Sequence, residues 1–275
     1  MVQVTVPSLI YKYLPPRDYV RDILTGESLR FSCPYSFNDP FECRPRLEVS
    51  PDIQGKNFIH EIGKAYGYSP ADRVIASARQ KRLRGKRLDL DELSRFQNII
   101  KATGICCFSS EKNDILMWSH YALDHSGLCI GFHSNRHFFR TAWEVEYSDH
   151  IPIITRPHDD AHTMLEKALL TKSKHWSYEK EWRIIRRTMT DQEVVQFNNQ
   201  HREYSREDLE TFTNQRGPGF YKFPKEAIAE VTVGIKATTE TVTRIKLWIA
   251  DANLEIPLYQ AKRHPSEFTI IFEQL

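Results

Sequence analysis

Two glutamates one residue apart, Glu179 and Glu181, stand beside Arg183 in the segment Tyr178-Glu179-Lys180-Glu181-Trp182-Arg183-Ile184-Ile185. Polar and apolar residues alternate here, so the spacing predicts a strand over 178–185. Both carboxylates then share one face with Arg183, about 7 Å apart, while Trp182 and Ile184 turn to the core. Such a pair suits a reaction that develops positive charge on carbon. One fixed anion stabilises an oxocarbenium-like centre while the other orients a hydroxyl or a water. The same pattern describes an exposed charged strand face knit by cross-strand ion pairs, and periodicity alone leaves both readings open.

Other chemistries find weaker support. His120, His125 and His133 fall in one stretch with Cys106, Cys107 and Cys129, but the histidines are not spaced as close metal-binding pairs. Adjacent strand cysteines also face opposite sides, so no metal is expected. Cys33, Cys106 or Cys107 would need the fold to bring a histidine beside it before it could act as a nucleophile; small cysteines in strands are usually core residues. No glycine-rich phosphate loop occurs. The basic stretch 79–87, Arg79-Gln80-Lys81-Arg82-Leu83-Arg84-Gly85-Lys86-Arg87, could meet phosphate, yet no aromatic residue interleaves with its charges, as a solvated helix end would also show.

The elements that must position these residues follow from pattern. Strands are expected over 9–13, 29–32, 104–109, 127–132, 143–147 and 178–185, with more near 219–223, 229–234, 256–261 and 268–272. Helices are expected over 17–24, 113–123, 160–174 and 239–250, with a helical insertion at about 51–103. Pro34, Asn38-Asp39 and Pro40 make an ordered loop of turn residues after the second strand. Strands and helices mix without regular βαβ alternation, which predicts an α+β fold rather than a doubly wound sheet. The chemistry is expected in segments 31–42, 104–133 and 172–187.

Bulk properties bound the rest. With 275 residues, 40% hydrophobic and 27% charged, the chain reads as one folded domain over 1–275. A net charge of +2 gives no whole-surface attraction to nucleic acid or membrane. Five cysteines without framework spacing predict free thiols in a reducing compartment, and no export signal or membrane span is seen, so a cytoplasmic location is expected.

Phe37-Asn38-Asp39-Pro40-Phe41-Glu42, Leu116-Met117-Trp118-Ser119-His120-Tyr121-Ala122 and Trp176-Ser177-Tyr178-Glu179-Lys180-Glu181-Trp182-Arg183 occur in that order. With Phe31 to Pro34, Cys107 to Ser109 and Gly127 to Phe132, they resemble a bacterial and phage-associated family known as the domain of unknown function numbered twenty-nine seventy-one. The order of segments also resembles, more distantly, the ADP-ribosyltransferase fold, a split sheet that grips NAD in an open cleft. That resemblance implies cleavage of the nicotinamide–ribose bond, with ADP-ribose passed to an unknown macromolecular acceptor, as in a toxin or a phage-defence effector. It implies Glu181 as the catalytic glutamate, holding a ribose hydroxyl and stabilising oxocarbenium character, and Glu179 as the residue that positions the acceptor. Tyr121 and Tyr13 would stack on nicotinamide, and Lys12 or Arg183 would meet the pyrophosphate. Ser109-Ser110 would stand at the middle-strand serine position beside His120 and Tyr121. Here Lys12-Tyr13 replaces the first-strand His or Arg, and Ser109-Ser110 is part of the usual Ser-Thr-Ser. NAD would serve as substrate, with no metal. A binding module that recognises a nucleotide or a partner without turnover is the rival reading. A nucleic-acid-directed effector using 79–87 is another.

Overall fold

Eight strands form the main sheet, and the way two of its neighbours part company creates the site. The computed structural model describes residues 6–49, 69, 71, 90–156, 158–189, 194–195, 198–199 and 216–275. The basic segment 79–87 and most of the expected insertion lie outside them. In chain order the elements are β1 (Leu9–Leu14), α1 (Tyr19–Leu24), β2 (Leu29–Phe31), β3 (Arg46–Val49), α2 (Leu90–Lys101), β4 (Gly104–Ser109) and α3 (Ile115–Tyr121). There follow β5 (Leu128–His133), β6 (Trp143–Glu144), β7 (Glu146–Ser148), β8 (Ile153–Arg156), α4 (Ala161–Leu169), β9 (Thr171–Ser173) and β10 (Glu181–Arg186). The chain closes with β11 (Gly219–Tyr221), β12 (Ile228–Val233), α5 (Thr239–Asp251), β13 (Leu258–Arg263) and β14 (Ile270–Gln274).

The sheet runs β14-β13-β12-β5-β1-β4-β10-β6. Every described pairing in it is antiparallel except β12 with β13, which α5 connects. The fold is therefore α+β with a large, mostly antiparallel sheet. The side-chain period of two sorts the residues to its faces. Ile10, Phe108, Ile130, Trp182, Ile184 and Val231 pack on one face with Val20 and Leu24 of α1 and Ile245 of α5. That face takes the indole and isoleucine expected from the 178–185 alternation. Each fully buried side chain of this size contributes about 1.5–3 kcal/mol relative to exposure.

The other face carries two separate clusters. Ile105 and Ile185 pack with Phe96 and Ile100 of α2 and with Met164, Ala168 and Leu169 of α4. Tyr13 and Cys129 pack with Met117 and Trp118 of α3 and with Ala261 and Ile270. Between the two clusters β1 and β4 separate: β1 pairs with β5 at six positions but with β4 only at Tyr11↔Ser109.

Several short elements differ from the pattern. The helix expected over 160–174 stops at Leu169, where the Leu170 N–H closes the last turn on the Glu166 carbonyl, and β9 follows. The expected strand over 143–147 is divided into β6 and β7 at Val145, whose N–H donates to the Glu181 carbonyl. The strand over 178–185 begins only at Glu181, because Glu179 ends a 3-10 turn (Lys174–Glu179) and Lys180 has φ 45°. The parallel pairs β3 with β8 and β7 with β9 were not expected. Among the described residues no helix is long and apolar enough to cross a membrane.

Candidate functional site

The gap between β1 and β4 is a cavity of about 220 Å³. Tyr11, Tyr13 and Tyr121 line it together with Lys12, Glu42, Lys172, Glu179 and Glu181. Lys12 bridges the gap, its Nζ donating to the Cys107 carbonyl at 3.0 Å. Burial works to lower the Lys12 ammonium, but Cys106 and Cys107 beside it outweigh burial and the group is raised. Tyr13 is fixed at both ends: its hydroxyl donates to the Glu111 carbonyl at 2.7 Å, and its ring meets Trp118 edge to face at 5.3 Å.

At one end of the cavity three carboxylates converge on two cations. Lys172 Nζ donates to Glu179 Oε2 at 2.5 Å and to Glu181 Oε2 at 2.9 Å, and lies 3.6 Å from Glu42 Oε2. Arg183 donates from Nε to Glu181 Oε1 at 2.8 Å, from NH2 to Glu42, and from NH1 to the Leu169 carbonyl at 2.6 Å. All five side chains are at most 5% exposed. With every group ionised the cluster carries one surplus negative charge.

The acids differ in how that charge is held. Burial would raise the Glu181 carboxyl, but Arg183 and Lys172 outweigh it and hold the group well below the usual carboxylate range, so it is ionised at neutral pH. At Glu179 burial wins over Lys172 and pushes the carboxyl up to about 6. Glu42 is raised too, burial outweighing Arg183 and Lys172. Burial disfavours the ammonium of Lys172, but Glu181, Glu42 and Glu179 reverse that and keep it protonated. A permanent anion beside a carboxyl that titrates near neutrality is how two like groups take different roles in proton transfer.

Local backbone places the acids. Cys43 and Lys180 have φ 56° and 45° although neither is glycine. Each adjoins an acid of the cluster, Glu42 in one case and both Glu179 and Glu181 in the other. Left-handed backbone costs such residues roughly 1–3 kcal/mol and persists where surrounding structure demands it. At Lys180 it makes the chain turn between two residues that an extended strand would carry on one face, and Lys172 gathers both carboxylates.

Of the residues singled out in the sequence, the fold brings Lys12, Tyr13, Tyr121, Glu179 and Glu181 to this one cavity. Arg183 shares the Glu181 face as expected, but α4 covers that face and leaves the guanidinium 0% exposed behind the carboxylates. Ser109 is buried at the β4 terminus, its Oγ accepting from the Glu111 N–H at 3.0 Å. The Ser110 N–H donates to the Lys180 carbonyl at 3.0 Å, so this serine links backbone to backbone beside the acids. His120 is exposed, its ring 6.1 Å from that of Tyr178. Asn38 and Glu42 reach the cavity, whereas Asp39 accepts from the Phe41 N–H and closes its own turn. Lys172 and Tyr147 were missed. Tyr147 lies opposite Lys172 in the β7–β9 pair, and its hydroxyl accepts from the Glu181 N–H at 2.8 Å. A lysine three residues past Leu169 and seven before an acid carried the only signal.

All five cysteines are free thiols, and burial raises the Cys43, Cys106 and Cys107 thiols, opposing thiolate chemistry. Among the described residues no group of three or more His, Cys, Asp or Glu is placed to hold a metal ion; the three carboxylates face an ammonium and a guanidinium instead. No curated protein and no solved structure matches the chain. Residues 117–184, which hold most of α3 and the Glu179–Glu181 pair, match the family described as "Protein of unknown function (DUF2971)", and the resemblance carried by Trp118 to Ala122 and Trp176 to Arg183 is borne out over that span.

Proposed function

We propose that the cavity between β1 and β4 binds NAD and cleaves its nicotinamide–ribose bond, passing ADP-ribose to an acceptor in an ADP-ribosyltransferase-like reaction. The observation that carries this reading is the divided carboxylate pair: ionised Glu181 and titrating Glu179, both bonded to Lys172 at the cavity wall. The glycosidic carbon–nitrogen bond breaks with its electron pair going to the pyridinium nitrogen, so nicotinamide leaves neutral and the ribose carbon becomes oxocarbenium-like. Glu181 accepts a hydrogen bond from a ribose hydroxyl and its fixed charge stabilises that carbon. The acceptor's nucleophilic atom bonds to the ribose carbon and gives its proton to Glu179, which near pH 6 is ready to take one.

The surroundings fit those roles. Surplus negative charge favours a cationic pyridinium ring over its neutral product, and Tyr13 and Tyr121 offer aromatic walls. Arg183 and Tyr147 position Glu181 without touching substrate. Lys172 holds the pair together and keeps Glu179 from rising further. The test is direct: purified protein incubated with NAD, with and without a cell extract as acceptor source, and nicotinamide quantified by chromatography. Release above the spontaneous rate supports the reading. No release, with NAD binding shown by calorimetry, leaves a nucleotide-binding module in its place.

A further inference from the structure

The cavity has a second, cationic end that the carboxylate chemistry does not use. Arg30, on β2, lines it, and its exposed side chain makes no hydrogen bond or ion pair among the described residues. The ammonium of Lys12 lines it too; it bonds the Cys107 carbonyl and meets the Cys106 thiol, and it has no carboxylate within ion-pair reach among the described residues. Ser32 next to them is bonded to Ile105 of β4 through paired backbone hydrogen bonds of 2.8 and 2.9 Å. Glu181 lies opposite Ser109 on the same strand, four residues further along. Lys12 is bonded at Cys107, and the antiparallel Ser32–Ile105 bridge carries Arg30, two residues before Ser32, toward the same level, so both cations stand two residues of strand, about 7 Å, from Ser109. Cations with no carboxylate partner among the described residues, lining one cavity with an anionic cluster, suit a ligand with opposite polarity at its two ends.

Size narrows the class. About 220 Å³ is below the roughly 300–1,000 Å³ typical of pockets that enclose a drug-sized ligand. A whole dinucleotide exceeds it, whereas one base, one ribose and one phosphate form a unit of suitable length.

We propose that the cavity recognises a cationic N-riboside 5′-monophosphate as its unit, with the base and glycosidic bond at Glu179 and Glu181 and the phosphate at Arg30 and Lys12. This rests on the glycosidic reading above for the base end; the phosphate end stands on Arg30 and Lys12 alone. The guanidinium fork is suited to two phosphate oxygens, and the Lys12 ammonium adds a point charge. The adenylate half of NAD then lies outside the cavity and adds little to recognition, so a pyridine mononucleotide serves as ligand and substrate as well as the dinucleotide does.

The experiment is calorimetric titration of wild-type protein and Arg30→Ser with NAD, nicotinamide mononucleotide, nicotinamide riboside and ribose 5-phosphate, with folding of the variant checked by circular dichroism. The mononucleotide should bind wild type within about threefold of NAD, and at least tenfold more tightly than the riboside, about 1.4 kcal/mol. Arg30→Ser should abolish that preference. Equal binding of riboside and mononucleotide to wild type, or a folded Arg30→Ser variant that keeps the preference, overturns the proposal; NAD binding a hundredfold more tightly than the mononucleotide overturns the size argument. If pyridine nucleotides bind with the Arg30-dependent preference but nicotinamide is never released, the catalytic reading fails and the phosphate end stands. Ribose 5-phosphate that binds through Arg30 while the pyridine compounds add nothing removes the base assignment. No binding of either phosphate ester removes the whole proposal.

Discussion

The hydroxyl of Tyr121 donates to Glu179 Oε1 at 2.6 Å and ties the last residue of α3 to the acid that ends the 3-10 turn. The bond favours the carboxylate and works against the burial that raises Glu179 to about 6. Tyr121→Phe keeps the ring and loses the bond, so Glu179 should titrate higher and the acid limb of the pH–rate profile for nicotinamide release should move upward. NAD affinity should change little. Tyr121→Ala removes the ring as well and should weaken NAD binding by about 1–2 kcal/mol in calorimetry. An unmoved acid limb in the Phe variant would separate Tyr121 from Glu179 in function.

Glu179 also makes stability depend on pH. Its carboxyl titrates near 6 in the folded protein against 4.5 ordinarily, so the folded state binds the proton more tightly. Stability therefore falls as pH rises through the window from 4.5 to 6, by about 2 kcal/mol. Glu42 is shifted in the same direction and adds to the fall. Denaturant unfolding of wild type and Glu179→Gln across that window should show a shallower slope in the variant. Parallel curves would mean that Glu179 is not held as the geometry requires.

Glu181 acts in the opposite sense. Its depressed pKa contributes stability that is fully present above the ordinary carboxylate value and is lost as pH falls towards the folded value. With both partners of its ion pairs buried, Glu181→Gln should cost about 3–5 kcal/mol at neutral pH, because Lys172 and Arg183 are left short of charge. Alternation alone does not reveal this cost, since a solvated strand face would make the change nearly neutral. Thermal unfolding of the two proteins at pH 7 checks it.

Lys180 turns the chain between the two acids at φ 45°. Glycine adopts this conformation without strain, so Lys180→Gly should leave the melting temperature unchanged or slightly raised. Lys180→Val, β-branched and unfit for left-handed backbone, should cost about 1–3 kcal/mol and slow turnover by displacing one acid from the other. Equal melting temperatures for the Gly and Val variants would show that the turn is not required.

Much of the architecture was legible because long apolar alternation survives local accidents. The runs at Gly104 to Ser109 and Leu128 to His133 form strands of the main sheet on either side of β1, and Trp182 and Ile184 enter the core as their period demanded. The Tyr178 to Ile185 run misled at its start: left-handed backbone is the habit of glycine, and a lysine there gives no warning. Lys172 was hidden by helical spacing that runs on past Leu169 without a proline or glycine to stop it, so it read as a cation in a last helical turn. Arg183 was assigned to the correct face, but whether a face meets a cleft or a helix depends on α4, a long-range contact that periodicity does not encode. Glu42 belonged to a loop whose turn residues explain themselves locally, and its pairing with Arg183 and Lys172, both distant in sequence, draws it into the cluster.

The most direct measurement is nicotinamide release from NAD by wild-type protein and Glu181→Gln, with rates normalised to the folded fraction and NAD affinity measured on both. A fixed charge used in the transition state is worth about 3–4 kcal/mol, so the variant should be roughly 10²–10³-fold slower while binding NAD within a few fold of wild type. Wild-type protein that releases no nicotinamide with any acceptor, or a folded Glu181→Gln variant that releases it at the wild-type rate, would contradict the account and make the carboxylate cluster a structural ion network.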